Sequence, residues 1–154
     1  RFMTQTRGTG VMNRTFHSYG PFKPGITGRV NGTLISMETG SAVAFAIFNL
    51  QDRGEMFIGH NTEVYQGMIC GEHTRENDLE VNFLKGKKLT NMRASGSDEN
   101  VVLTPPRKMS LEEKMAYIND DEVLEVTPKN LRLRKKYLDH HERKRMSKSN
   151  SQNV

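Results

Sequence analysis

A single cysteine, Cys70, stands in the 154 residues, so no disulfide can form within the chain and a reducing, cytosolic setting is expected. No stretch approaches the roughly 18 consecutive apolar residues that a membrane-spanning helix requires. Neither a signal peptide nor a lipidation motif is visible, and the sequence opens at Arg1 in mid-pattern, as the end of a longer protein would. Gly8-Thr9-Gly10 is no phosphate loop: it lacks a third glycine and a following Lys-Ser/Thr, and it reads as a turn.

Reactive constellations are equally scarce. Cys70 and His73 have a spacing seen in metal sites, but no second pair lies at the right distance. A zinc site is therefore not expected, and Cys70 reads as a small core residue. His17 and His60 are isolated, and His140-His141 sits in a charged tail and reads as solvated. Ser95, Cys70 and the histidines form no local catalytic signature. Asp98-Glu99 and Asp120-Asp121-Glu122 read as acidic turns rather than as a working carboxylate pair. No enzymatic activity, metal or cofactor is expected of this chain itself.

Positive charge, by contrast, is plentiful and concentrated at one end. The net charge is +5 and the isoelectric point about 9.4. From Lys129 onward nine lysines and arginines face only Asp139 and Glu142, a net +7, while residues 1–128 hold 14 basic and 16 acidic side chains, a net −2. Such asymmetry points to a polyanionic partner, with a merely solvated face as the competing reading. Hydrophobic residues make up 34% and the mean hydropathy is −0.69, which supports a core of modest size.

Along the chain, residues 1–22 read as a separate piece, with an extended segment from Val11 to Tyr19 and a linker punctuated by Gly20, Pro21, Pro24 and Gly25. Asn31-Gly32 is a hairpin-type turn signal. Ala42 to Phe48 alternates and is expected to be a central strand buried on both sides. Met56-Phe57-Ile58, Val64 to Cys70 and Asp78 to Phe83 are further strand candidates, the last with Leu79, Val81 and Phe83 inward. Ser110 and Glu113 form a capping box before a helix whose Leu111, Met115 and Ile118 make an apolar stripe, and which should stop near Asn119. Leu124 to Thr127 and Leu131 to Arg134 alternate with period two, leucines in and arginines out. A short polar helix is expected over Tyr137 to Arg145, and Ser147 to Val154 reads as disordered. The fold class is α+β and strand-dominated, a compact barrel-like β domain with one or two short helices.

The segment from Lys85 to Glu99 lies between two strands and carries Lys85, Lys87, Lys88 and Arg93 before its first acid. Its length exceeds the ~4–6 residue median for connections, which favours a functional loop over a solvated one. Lys and Arg neutralise phosphates, while Asn91 and Ser95 can hydrogen-bond phosphate or ribose oxygens. Lys129, Arg132, Arg134, Lys135 and Lys136 belong to a basic strand and tail, running from Lys129 to Arg145, that is expected to add a second, less specific anchor.

Several longer motifs then carry a resemblance. Gly40 to Ala46, Leu50-Gln51-Asp52-Arg53-Gly54, Gly59-His60, Glu63 to Ile69 and Gly86 to Gly96 together resemble the C-terminal domain of the BipA/TypA translational GTPases, over nearly the whole chain to about Arg145. Arg1 to Gly8 with Phe16 to Tyr19 resembles the end of the ferredoxin-like last domain of elongation factor G. The resemblance implies the last strand of that domain in 1–22, incomplete here, the family's C-terminal domain in 23–139 and a basic, disordered tail in 140–154. It also implies a monomeric, cytoplasmic, ribosome-associated module that touches 23S-type rRNA, with a loop at Lys85–Ser97 reaching the acceptor arm of A-site tRNA. The parent would hydrolyse GTP with Mg in a domain absent from this chain, and would act in stress adaptation and large-subunit assembly. The rival expectation is a protein-interaction module with a solubilising basic tail.

Overall fold

A computed structural model of the chain describes residues 2, 6–21, 29–86 and 102–151. Eight strands are present among them: β1 (Thr33–Ser36), β2 (Gly40–Ser41), β3 (Gly54–Met56), β4 (Glu63–Val64), β5 (Met68–His73), β6 (Leu79–Val81), β7 (Glu122–Val126) and β8 (Leu131–Lys135). Three helices accompany them, α1 (Ala44–Leu50), α2 (Leu111–Tyr117) and α3 (His140–Ser151), with a 3-10 turn at Gln51–Arg53. The strand-dominated α+β class is therefore as expected, but the body is not a barrel. The main sheet is open and mixed, in the order β6-β1-β5-β8-β7, and β2 pairs with β4 in a separate two-stranded ladder. Among the described strands, only β1 and β6 run parallel.

β5 organises this sheet. One side pairs with β1 through Thr33↔Glu72, Leu34↔Gly71 and Ile35↔Ile69. Its other side changes partner along its length: Met68 and Ile69 lie against β8, whereas Gly71 to His73 lie against β3. The sheet forks there, and a cavity of about 360 Å³ opens between Phe57-Ile58 and Leu131-Leu133. Alternation along β5 feeds two cores. Met68 and Cys70 join Leu34, Ile47, Val81 and Phe83 on one face, while Ile69 joins Leu133 and Tyr117 on the other.

Several expectations need correction. Residues 44–50 form a helix, not a central strand. A seven-residue apolar run fits both periods, and the buried Ala46 and Ile47 with half-buried Leu50 follow the helical one, Phe48 and Asn49 facing out. The expected strand from Val64 to Cys70 is interrupted at Gly67, whose φ of 83° lies in the left-handed region and whose missing Cβ leaves room for Leu138. Asn31-Gly32 is no hairpin turn. Gly32 leads straight into β1, and a Cβ there would sit 2.2 Å from the Asn77 carbonyl oxygen. Val11 to Tyr19 forms no strand; its Val11, Phe16 and Tyr19 are exposed.

The capping box is present: the Ser110 hydroxyl accepts from the Glu113 amide at 3.2 Å, and the Glu113 carboxylate accepts from the Ser110 amide at 2.8 Å. The face that its helix presents differs in part from the one expected: Ile118 packs against the Ile69–Leu133 core, as expected, but the helix turns Leu111 and Met115 outward. Tyr117 is buried edge-on against Phe57, beneath the Arg29 guanidinium. A large aromatic ring buries more area than a methionine, so it decides which face turns inward. α3 continues to Ser151, through residues expected to be disordered.

Candidate nucleic-acid interface

The predicted cationic residues part company in the structure. Lys85 is exposed where the chain leaves β6. Lys87, Lys88, Asn91, Arg93 and Ser95 lie outside the described residues. Lys129 is exposed on the β7–β8 turn, which is closed by Thr127 and Asn130. Arg132 and Arg134 are half-buried: the first pairs with Glu125 at 3.4 Å and the second donates to the Lys135 carbonyl at 3.2 Å. Lys136 is exposed, its ammonium 6.0 Å from the Tyr137 ring centroid.

Lys135 does not belong with them. It is 2% exposed and its ammonium meets Asp78 at 2.6 Å, Asp121 at 2.8 Å and Glu122 at 2.9 Å. Glu122, also buried, accepts a two-pronged pair from Arg29 at 2.7 and 3.0 Å. Asp78 in turn accepts from the Thr33 amide and hydroxyl at 2.7 and 2.9 Å. Burial alone would depress the Lys135 ammonium, but the surrounding carboxylates outweigh it and hold its pKa above the ordinary value. Burial likewise pushes Asp78 up, and Lys135 with Thr33 overcomes it and draws the carboxyl below its usual range. Lys135 is a structural cation that joins β8 to β7 and to the start of β6, and it cannot reach an external phosphate from this position.

The acids of the Asp120–Glu122 turn are consequently not idle: two of them serve this cluster. Cys70 is fully buried and burial pushes its thiol pKa up, which suits a core residue. His73 donates from Nδ1 to the Asn77 carbonyl at 2.6 Å, turned to the backbone.

The expected basic tail continues onto α3, where its side chains separate by face. Asp139 caps the helix, accepting from the His141 and Glu142 amides at 2.9 and 3.0 Å. His140 and Arg143 turn inward and both meet the same Glu80 oxygen on β6. This corrects the solvated reading of His140. Burial raises the Glu80 pKa, but the hydrogen bonds from Arg143 and His140 outweigh it and hold the carboxyl below its ordinary value. His141, Lys144, Arg145 and Lys148 are exposed, and none pairs with an acid among the described residues. Lys144 and Arg145 belong to the expected basic tail, whereas the i, i+3, i+4, i+7 spacing that sets them on one face with His141 and Lys148 is hidden because the segment past Arg145 reads as disordered.

Two groups of basic side chains bear on the interface. Arg29, Lys135 and Arg143 are spent on buried or half-buried carboxylates. Lys85, Lys129, Lys136, Lys144, Arg145 and Lys148 face outward without an acidic partner among the described residues. Such a surface can neutralise phosphates without reading base sequence.

Residues 31–140 match the family model described as the TypA/BipA C-terminal domain. The chain is similar to the large ribosomal subunit assembly factor BipA of Salmonella typhimurium, with 57% identity over 148 residues that cover 96% of this chain and 24% of the relative. The Escherichia coli K12 protein of the same name is 56% identical over 149 residues, with the same two coverages. That of Buchnera aphidicola subsp. Schizaphis graminum is 55% identical over 148 residues, again covering 96% and 24%. The chain spans about a quarter of the length of these curated relatives.

Proposed function

This chain belongs to the TypA/BipA C-terminal domain family, and from that premise we propose that it is the RNA-facing, non-catalytic module of a ribosome-binding translational GTPase. The parent binds and hydrolyses GTP, with Mg, in a part that these residues do not include. It works in the cytoplasm on the ribosome, in large-subunit assembly and in stress adaptation, and the module acts as a monomer. The names of the similar proteins, which call them large ribosomal subunit assembly factors, support the ribosome as partner.

One observation carries the reading: the inward cations Arg29, Lys135 and Arg143 are taken up by Asp78, Glu80, Asp121 and Glu122, while Lys85, Lys129, Lys136, Lys144, Arg145 and Lys148 are exposed without an acidic partner among the described residues and can meet an external anion. In this proposal the segment from Lys85 to Ser97 contacts RNA backbone at the acceptor arm of A-site tRNA. Lys85, Lys87, Lys88 and Arg93 neutralise phosphates there, with Asn91 and Ser95 as neutral hydrogen-bond partners. Lys129 and Lys136 add weaker contacts to rRNA, while Arg132 and Arg134 contribute only if they leave their present partners.

Binding of the chain to ribosomal RNA and to ribosomes across a salt titration tests this. Wild type should bind with an affinity that falls steeply with salt. Alanine at Lys87, Lys88 and Arg93 together should flatten the logarithmic salt slope by about 2–3, at roughly 0.7–0.9 per lost phosphate contact. A folded triple variant with unchanged slope would remove the loop from the account. A wild type that ignores RNA at low salt would sink the reading in favour of a protein partner.

A further inference from the structure

The two faces of α3 are occupied differently. His140 and Arg143 converge on Glu80 of the edge strand β6, while His141, Lys144, Arg145 and Lys148 look away and are exposed. Among the described residues the helix's other ties are polar and lie at its start: Arg143 also donates to the Tyr137 and Leu138 carbonyls, and Gln66 reaches Asp139. None of its residues enters either apolar core among the described residues.

Left alone, this helix would be unstable. A segment of twelve residues is marginal in water even with a favourable sequence. Here like charges follow one another at helical spacing, Lys144 with Lys148 and His141 with Lys144 and Arg145, which weakens it further when they are charged. Glu80 opposes both effects, because it takes the Arg143 guanidinium and the His140 ring of the first turn onto a strand whose position is already set by β1.

We propose that Glu80 is a positioning residue: by holding His140 and Arg143 it fixes α3 on β6, so that His141, Lys144, Arg145 and Lys148 stand out as an ordered stripe, about 10 Å long, for the phosphate backbone of RNA. The inference rests on the RNA-binding reading above and adds to it a second contact whose geometry is set in advance. Ordering the stripe before binding removes a cost that RNA would otherwise have to meet. The same strand leads within five residues to Lys85, so the helix and the basic loop leave one edge of the sheet together.

The test uses the full chain and a double-stranded RNA hairpin, with affinity measured across salt. Alanine at Lys144, Arg145 and Lys148 should lower the salt slope by about 2–3. Glu80→Gln removes a negative charge, so charge alone would tighten binding. Positioning requires the opposite, weaker binding and a slope lowered by at least about 1, with faster amide exchange over residues 140–148. Glu80→Asp keeps the acid that His140 and Arg143 meet, and should retain more of both affinity and slope than Glu80→Gln. Glu80→Gln binding as tightly as wild type or tighter, Glu80→Asp binding no better than Glu80→Gln, or an unchanged slope in the triple variant overturns the proposal and leaves the RNA-binding reading standing. Wild type that binds no RNA at any salt sinks both.

Discussion

At the residue scale, Lys135 shows how charge can mislead when burial is not visible. Leu131 and Leu133 are inward by alternation, and Lys135 continues the same parity. Its three carboxylates come from β7, from the turn before it and from just ahead of β6, so no local window reveals them. Replacing it by methionine strands those acids. Asp78 and Asp121 retain some access to water, which places the expected loss at the low end for a broken buried pair, about 3 kcal/mol. Urea unfolding would measure it, and the salt slope of RNA binding should stay as in the wild type. A stable Lys135→Met chain with weakened RNA binding would return the residue to the interface.

At the element scale, local signals were readable and shared periods were not. The capping box of α2 was evident from Ser110 and Glu113 alone, because capping is a matter between neighbours in sequence. Ser110→Ala should cost about 1 kcal/mol, seen as a lower midpoint in thermal or urea unfolding. The inward face of the same helix was misjudged in part, since Tyr117 is drawn in by Phe57 and Arg29, which lie far away in the chain. Alternation also located Leu79, Val81 and Phe83 correctly, all on the buried or half-buried side. It failed at 44–50, where a short run of Ala, Phe and Ile satisfies either period. The latch of α3 joins residues on two separate elements, and only the folded chain brings them together.

For the whole molecule, the ion pairs set a stability window in pH. Asp78 and Glu80 have folded pKa values below the unfolded ones. Their stabilisation is therefore complete above roughly pH 4–4.5 and is lost as pH falls through the lower folded values. Lys135 is shifted upward, so its contribution is complete below roughly pH 10.4 and disappears as pH rises through its folded value. Unfolding free energy should thus be level in between and decline on both sides. In Glu80→Gln the acid decline should be shallower. A profile that peaks sharply near neutrality would contradict this assignment.

The fork in the sheet has a consequence for how the chain breathes. Among the described strands β5 alone is flanked by three neighbours, β1 on one side and β8 then β3 on the other, so its backbone opens only if several pairings part together. In deuterated solvent the amide protons of Ile69 to Glu72 should be the last to be replaced. Those of the two-residue β2–β4 ladder, which pairs with no third strand among the described residues, should exchange sooner.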